Sequence, residues 1–399
     1  MALPTSPAEG SGAGRLLSWW RNPQMRGVFF QLLTLVIVVW VGWAVADNTI
    51  QNLNRLNITS GYGFLEDTAG FSINFSLVDY SEESSYARAL LVGFLNTVLC
   101  ALLGIAIATI LGFVIGIARL SNNWIIARLA TVYIEIVRNI PLLLQIFFWY
   151  IGVLRALPNP RQSFEPLPNI FLNSRGLIVP TPVLQPGIGF VFAAFVLACA
   201  GSFFLWRWAR FRQQQTGQQF PVFWSSVGMI VLLPLLAFFL SGSPISLVLP
   251  ELTGFNFATG STLVPELVAL VLALSIYTAS FIAEIVRSGI QAVSWGQTEA
   301  ASSLGLHRGQ TLRLVIIPQA MRVIIPPLTN QYLNLTKNSS LAAAIAYPEL
   351  VSVFAGIVLN QTGQAVEVLS IVIAIYLSLS VVTSIFMNWY NARFALVER

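Results

Sequence analysis

Residues 299–305 read Glu299-Ala300-Ala301-Ser302-Ser303-Leu304-Gly305, and after nine further residues the chain reads Val315-Ile316-Ile317-Pro318. Glu299, Ala300 and Ala301 favour a helix, Thr298 offers an N-cap, and an acidic side chain suits the positive end of the helix. Gly305 predicts the end of that helix, because glycine takes the left-handed cap conformation without strain. A second helical segment is expected over 311–317 and broken at Pro318, whose ring removes a donor and crowds the preceding turn. Alone, the stretch describes either a compact two-helix protrusion or an ordinary amphipathic surface pair. Its flanks set the solvent: apolar runs over 266–286 and 320–345, each long enough to cross about 30 Å of hydrocarbon at about 1.5 Å per residue.

Working outward, the same test finds runs over 28–46, 89–118, 127–154, 188–206, 222–240 and 366–388, making eight predicted spans and an all-α polytopic membrane fold. The composition agrees. Hydrophobic residues make up 56% and charged residues 9% of 399, against roughly a quarter charged in soluble domains. A soluble enzyme is excluded, and 27 Phe with 11 Trp exclude a solvated disordered chain. The net charge of +5 comes from 20 dispersed Arg and one Lys, a pattern of membrane edges and not of a nucleic-acid surface. Cys100 and Cys199 both lie in apolar runs and suggest packing; His307 alone cannot build a metal site. No phosphate-loop motif occurs, and Lys337 stands in Leu-Thr-Lys-Asn without the required glycines. With no Ser/His/Asp set, metal cluster or cofactor fingerprint either, the chain is expected to be no enzyme and to bind no cofactor itself.

Arginine counts give the orientation. With a cytoplasmic N-terminus, Arg15, Arg21, Arg26, Arg119, Arg128, Arg207, Arg210, Arg212, Arg287, Arg308, Arg313, Arg322, Arg393 and Arg399 fall inside, against Arg55, Arg88, Arg155, Arg161 and Arg175 outside. Both termini are expected in the cytoplasm. The Pro-rich stretch 155–187 is expected to be an external loop. Ala44-Val45-Ala46 imitates a leader cleavage site, but the preceding apolar run is longer than a leader core and is expected to be retained. Trp19, Trp20, Trp43, Trp149, Trp206, Trp208, Trp224 and Trp389 fall near span ends, as interfacial anchors do.

The 299–318 stretch closely resembles the EAA loop of permease subunits of bacterial ABC importers, with Val315 and Ile317 replacing Ile and Leu of its ending. Further matches resemble the histidine/glutamine-type permeases. They are Tyr133 to Gln145 with Glu135-Ile136-Val137-Arg138, Ser275 to Gly289 with Glu284-Ile285-Val286-Arg287, Pro318-Gln319-Ala320, and Leu335 to Leu341. Ser288 stands where that family has a first Gly. The resemblance covers 89–155 and 266–390 and implies a five-helix MetI-like permease core. It divides the chain into an N-terminal region (1–88) holding the first extra span, a first core segment (89–157), an insertion with two extra spans (158–265), and a second core segment (266–399) containing the EAA loop at 287–318. The longer build resembles permeases of general L-amino acid systems. The insertion is expected to be peripheral scaffold, with regulation or partner docking as the second reading. The resemblance implies a bacterial inner-membrane protein with a paired ATPase that holds ATP and Mg, a second permease subunit, identical or paralogous, and a periplasmic amino-acid-binding protein. Glu299, Ala300, Ala301, Gly305 and Pro318 would form the ATPase-coupling loop.

Charges inside a membrane need a partner or a wet cavity. Glu135 with Arg138, and Glu284 with Arg287, stand at i, i+3 and are expected to meet on one helix face, either simply neutralising each other or forming an inner gate that exchanges partners. Asn330, Asn334 and Asn338 recur every fourth residue beside Lys337, making a polar stripe that either bonds neighbouring helices or lines a path for an amino-acid carboxylate. Ion-coupled transport and a non-transporting assembly role are the rival readings.

Overall fold

The structure is a computed structural model describing residues 23–55 and 61–393. Arg15, Arg21, Arg399, Trp19 and Trp20, placed above by sequence, lie outside the described residues. The helices are α1 (Pro23–Arg55), α2 (Tyr86–Arg119), α3 (Trp124–Asn139), α4 (Leu142–Leu154), α5 (Ile188–Thr216), α6 (Val222–Leu240), α7 (Pro265–Gln291), α8 (Trp295–Ser303), α9 (Arg308–Ile345), α10 (Val351–Thr362) and α11 (Ala365–Ala392). Seven are long and apolar enough to span, and α3 with α4 make an eighth if taken together.

The centre of the fold is the parallel pair α2 and α7. Gly104, Ala108, Gly112 and Gly116 recur every fourth residue, so one face of α2 carries almost no side chain and the α7 backbone approaches it closely. A Cβ at Gly112 would stand 2.5 Å from Ile282 Cγ2, and one at Gly116 2.7 Å from the Ala283 carbonyl. α9 closes the core from the other side through Ile324, Ile325, Leu328 and Leu335, with Met387 of α11 beside them. Beyond Ile345 the chain turns back onto α2. The Asn96 amide donates to the carbonyls of Phe75 (3.0 Å) and Pro348 (2.9 Å), and Leu350 N–H donates to Thr97 Oγ1 (3.1 Å). Buried Glu349 then caps α10, accepting from the N–H groups of Val351 (2.8 Å) and Ser352 (2.7 Å) and from Tyr376 Oη (3.0 Å).

The run 127–154 is not one straight span. α3 and α4 meet at a bend of 104°. Ile140 is extended, as a residue before proline tends to be, and Pro141 supplies no N–H to continue the ladder. Gln145 closes the corner, its amide donating to the carbonyls of Val137 (2.9 Å) and Ile140 (3.0 Å). Trp149, expected as an interfacial anchor, packs against the core instead.

α5 and α6 form a hairpin that packs on itself: α5 buries only Ala198 and Ala209, and α6 buries nothing. The stretches at its outer ends, 155–187 and 241–264, are not plain loop. They form a four-stranded antiparallel sheet of β1 (Phe164–Leu167), β2 (Ile170–Asn173), β3 (Gly176–Val179) and β8 (Ser261–Leu263). Two hairpins accompany it, β4 (Thr181–Leu184) with β5 (Ile245–Val248) and β6 (Leu252–Thr253) with β7 (Asn256–Phe257). Pro166 and Pro182 sit in strands at sheet edges, where a missing donor costs no ladder bond. α1 continues past residues 44–46 to Arg55, and its side chains from Val28 to Val45 are exposed all round, as lipid-solvated ones would be.

Candidate functional site: a charged cavity, a protrusion and a polar stripe

The two Glu-Ile-Val-Arg segments come together at one end of the core, but only one forms its expected pair. On α7, Glu284 accepts from Arg287 Nε at 3.1 Å. It also accepts from Arg119 Nη1 at the end of α2, a partner the sequence reading did not assign. Parallel packing of α2 and α7 brings these two residues level. On α3, Glu135 and Arg138 form no ion pair, and the expectation that they meet is corrected. The Arg138 guanidinium lies over the Phe281 ring of α7, 4.9 Å from its centroid, while the Glu135 carbonyl accepts from Asn139 Nδ2 at 2.7 Å. The i, i+3 spacing permits a pair; the aromatic face offered by α7 competes for the arginine. Arg119, Glu135, Arg138, Asn139, Phe281 and Glu284 line one cavity of about 430 Å³. The two motifs are thus the two walls of a charged vestibule, with Glu284 already shared between arginines of different helices.

The protrusion leaves the core just beyond that vestibule. α8 begins one turn earlier than expected: Ser294 holds the N-cap position, and Thr298 lies inside the helix, its carbonyl accepting from Ser302 Oγ at 2.9 Å. Ala301 faces inward at 3% exposure, whereas Glu299 and Ala300 face outward. Gly305 ends the helix at φ 76°, as its place in the sequence predicted. His307 then caps α9. Its Nδ1 accepts from Gln310 N–H at 3.3 Å, and its own N–H donates to Gln310 Oε1 at 3.2 Å. Pro318 does not break the second helix, which is a correction. Leu312–Ile316 is wound as a π-helix, and the chain continues through Pro318 into the long α-helical part of α9. A widened turn absorbs the missing donor that would otherwise end the ladder. Gln319 Nε2 donates to Gln297 Oε1 at 3.1 Å and ties α8 to this rod. Trp295, Leu304, Leu312 and Leu314 are large apolar side chains left exposed on the protrusion, Leu304 at 80%.

The same rod carries the polar stripe. Asn330, Asn334 and Lys337 are exposed and Asn338 is half-buried, while Ile325, Leu328 and Leu335 bury the opposite face. Among the described residues, the side chains of Asn330, Asn334 and Lys337 make no hydrogen bond or ion pair within the chain. An amide or ammonium facing hydrocarbon is costly, so this face requires either water or another protein surface.

Residues 191–396 match the family described as binding-protein-dependent transport system inner membrane component, a stretch exceeding half the chain. The chain belongs to this family. The permease is similar to the general L-amino acid transport system permease protein AapQ of Rhizobium johnstonii, 54% identical over 398 residues, covering 100% of this chain and 99% of that one. It is similar to the putative amino-acid ABC transporter permease protein YhdX of Escherichia coli, 54% identical over 379 residues, covering 95% and 96% of the two chains. Among solved structures, a crystal structure of an amino acid ABC transporter with histidines aligns with it at TM-score 0.46 and 23% identity, covering 77% of the permease and 95% of that chain. The similarity to AapQ runs the whole length of the permease, residues 158–265 included.

Proposed function

We propose that the permease is the membrane-spanning subunit of an ABC importer carrying L-amino acids of several side-chain types from periplasm to cytoplasm. The observation that carries this reading is the continuity of α9, in which one helix holds both the exposed protrusion and the unpartnered polar stripe. The protrusion, with exposed Trp295 and Leu304 at the two ends of α8, Glu299, Ala300, Gly305 and the π-wound approach to Pro318, is the docking handle for a separate ATPase pair, on which ATP and Mg remain. ATPase closure displaces the handle, and α9 moves with it, alternating access to the path. A second permease subunit, identical or paralogous, covers the stripe across that path. Asn330, Asn334, Lys337 and Asn338 then meet the substrate's carboxylate, a group shared by all amino acids. Side-chain selection rests with the periplasmic binding protein that delivers the substrate.

The charged vestibule is the inner gate of this reading, with Arg119, Arg138, Glu135, Glu284 and Arg287 exchanging partners as the path opens. The handle faces the cytoplasm of a bacterial inner membrane, and in this reading both termini are cytoplasmic. The decisive test is reconstitution in proteoliposomes. Uptake of labelled amino acids should require ATP, the ATPase subunit and the binding protein together; uptake driven by an ion gradient without them would establish a secondary transporter. Thiol labels at Ser302→Cys should react from the cytoplasmic face only, and labelling from outside would overturn the orientation.

A further inference from the structure

A cavity of about 630 Å³ opens between α5 and the end of α11, lined by Phe203, Trp206, Arg210 and Arg393. The first three share one face of α5 at i, i+3 and i+7. Arg210 lies over the Trp206 ring at 4.2 Å and Arg393 over the Trp389 ring at 4.0 Å, so each guanidinium is held beside an aromatic anchor. Neither forms an ion pair with a carboxylate among the described residues; the ion pairs there belong to Arg119, Arg155 and Arg287. Deeper along the same faces, two turns from the cavity lining, Val196 and Phe386 are 63% and 59% exposed. The α5/α6 hairpin packs mainly on itself, leaving a wedge against α11 with apolar walls and a doubly cationic mouth.

We propose that this wedge is a binding site for an anionic phospholipid, its phosphate held between Arg210 and Arg393 and its acyl chain lying against the apolar walls. Guanidinium suits phosphate through paired N–H donors, and basic pockets between membrane helices are suited to anionic headgroups. The adjoining apolar walls favour a lipid over a free anion. Such a lipid fills the seam between the extra hairpin and the permease core, giving the hairpin a contact with the core that protein side chains barely supply. The site stands on the geometry of the seam and holds whichever way the chain faces the membrane.

The test uses the whole transporter complex, purified, delipidated and titrated with phosphatidylglycerol under native mass spectrometry. Phosphatidylcholine and inorganic phosphate are the comparison arms. Saturable phosphatidylglycerol binding should weaken about fivefold in Arg210→Gln or Arg393→Gln and about thirtyfold in the double variant. Arg128→Gln, an arginine on a different helix, should leave it unchanged, and Arg210→Lys should recover part of the loss by restoring charge. Equal binding of phosphatidylcholine, displacement by inorganic phosphate, or full retention in the double variant would each overturn the proposal.

Discussion

Replacing Glu284 by Gln removes the one carboxylate on which Arg119 and Arg287 converge. The three side chains are only 21–28% exposed, so solvent screening is incomplete. The amide keeps a single acceptor oxygen and no charge. About two charge-assisted hydrogen bonds are lost, each worth about 1.5–3 kcal/mol, and two guanidinium groups are left facing each other. After discounting for the remaining exposure, we expect a loss of about 2–4 kcal/mol. That lies well above the roughly 0–1 kcal/mol of a surface pair and near the lower edge of the cost of breaking a buried one. Thermal unfolding of the purified complex measures the change in stability. Uptake and ATP hydrolysis in proteoliposomes measure the function, and hydrolysis should persist while uptake falls. Glu135→Gln supplies the control for stability alone, because Glu135 forms no ion pair and its replacement should cost no more than about 0.5 kcal/mol. If Glu284→Gln proves no worse than Glu135→Gln in thermal unfolding, the convergence of arginines does not support the fold, and if it leaves uptake normal, the convergence does not support the coupling.

Gly112→Ala would place a Cβ 2.5 Å from Ile282 Cγ2 and 2.6 Å from Ile282 Cβ. Trimming Ile282 to Ala therefore leaves a clash, and both the single and double variants should lose about 1–3 kcal/mol in thermal unfolding; unchanged melting would show that α2 and α7 separate easily. Lys337→Ala with Asn334→Ala should reduce uptake while leaving melting within about 0.5 kcal/mol, since both side chains are exposed, and normal uptake would remove the stripe from the path. Arg138→Ala should uncouple hydrolysis from uptake, whereas normal transport would leave only a packing contact with Phe281.

The spans were legible because each requires a long apolar run, a signal that survives without knowledge of neighbours. The end of α8 was legible for a local reason, since Gly305 alone determines it. What stayed hidden was set by distant or subtle partners. Arg119 meets Glu284 across 165 positions of sequence, and nothing local marks the encounter. The Glu135–Arg138 spacing matches that of Glu284–Arg287, yet Phe281 takes the arginine. The stripe of Gly104, Ala108, Gly112 and Gly116 was visible as a period of four, but hydropathy treats small residues as filler when they are in fact the contact surface. Pro141 passed as one residue in an apolar run although it folds the span back. The short strands outside the membrane hold two to four residues each, too few to establish a period amid so many prolines.

Pro326 and Pro327 lie inside α9, between the handle and the stripe. If that double proline serves as a fulcrum, the arm reaching Arg308 is about 27 Å long and the arm reaching Lys337 about 16 Å. A swing of about 10° would carry the outer tip about 5 Å and the polar groups about 3 Å the other way. The lever is geared down: a large, soft push at the surface becomes a shorter, stiffer stroke beside the cargo.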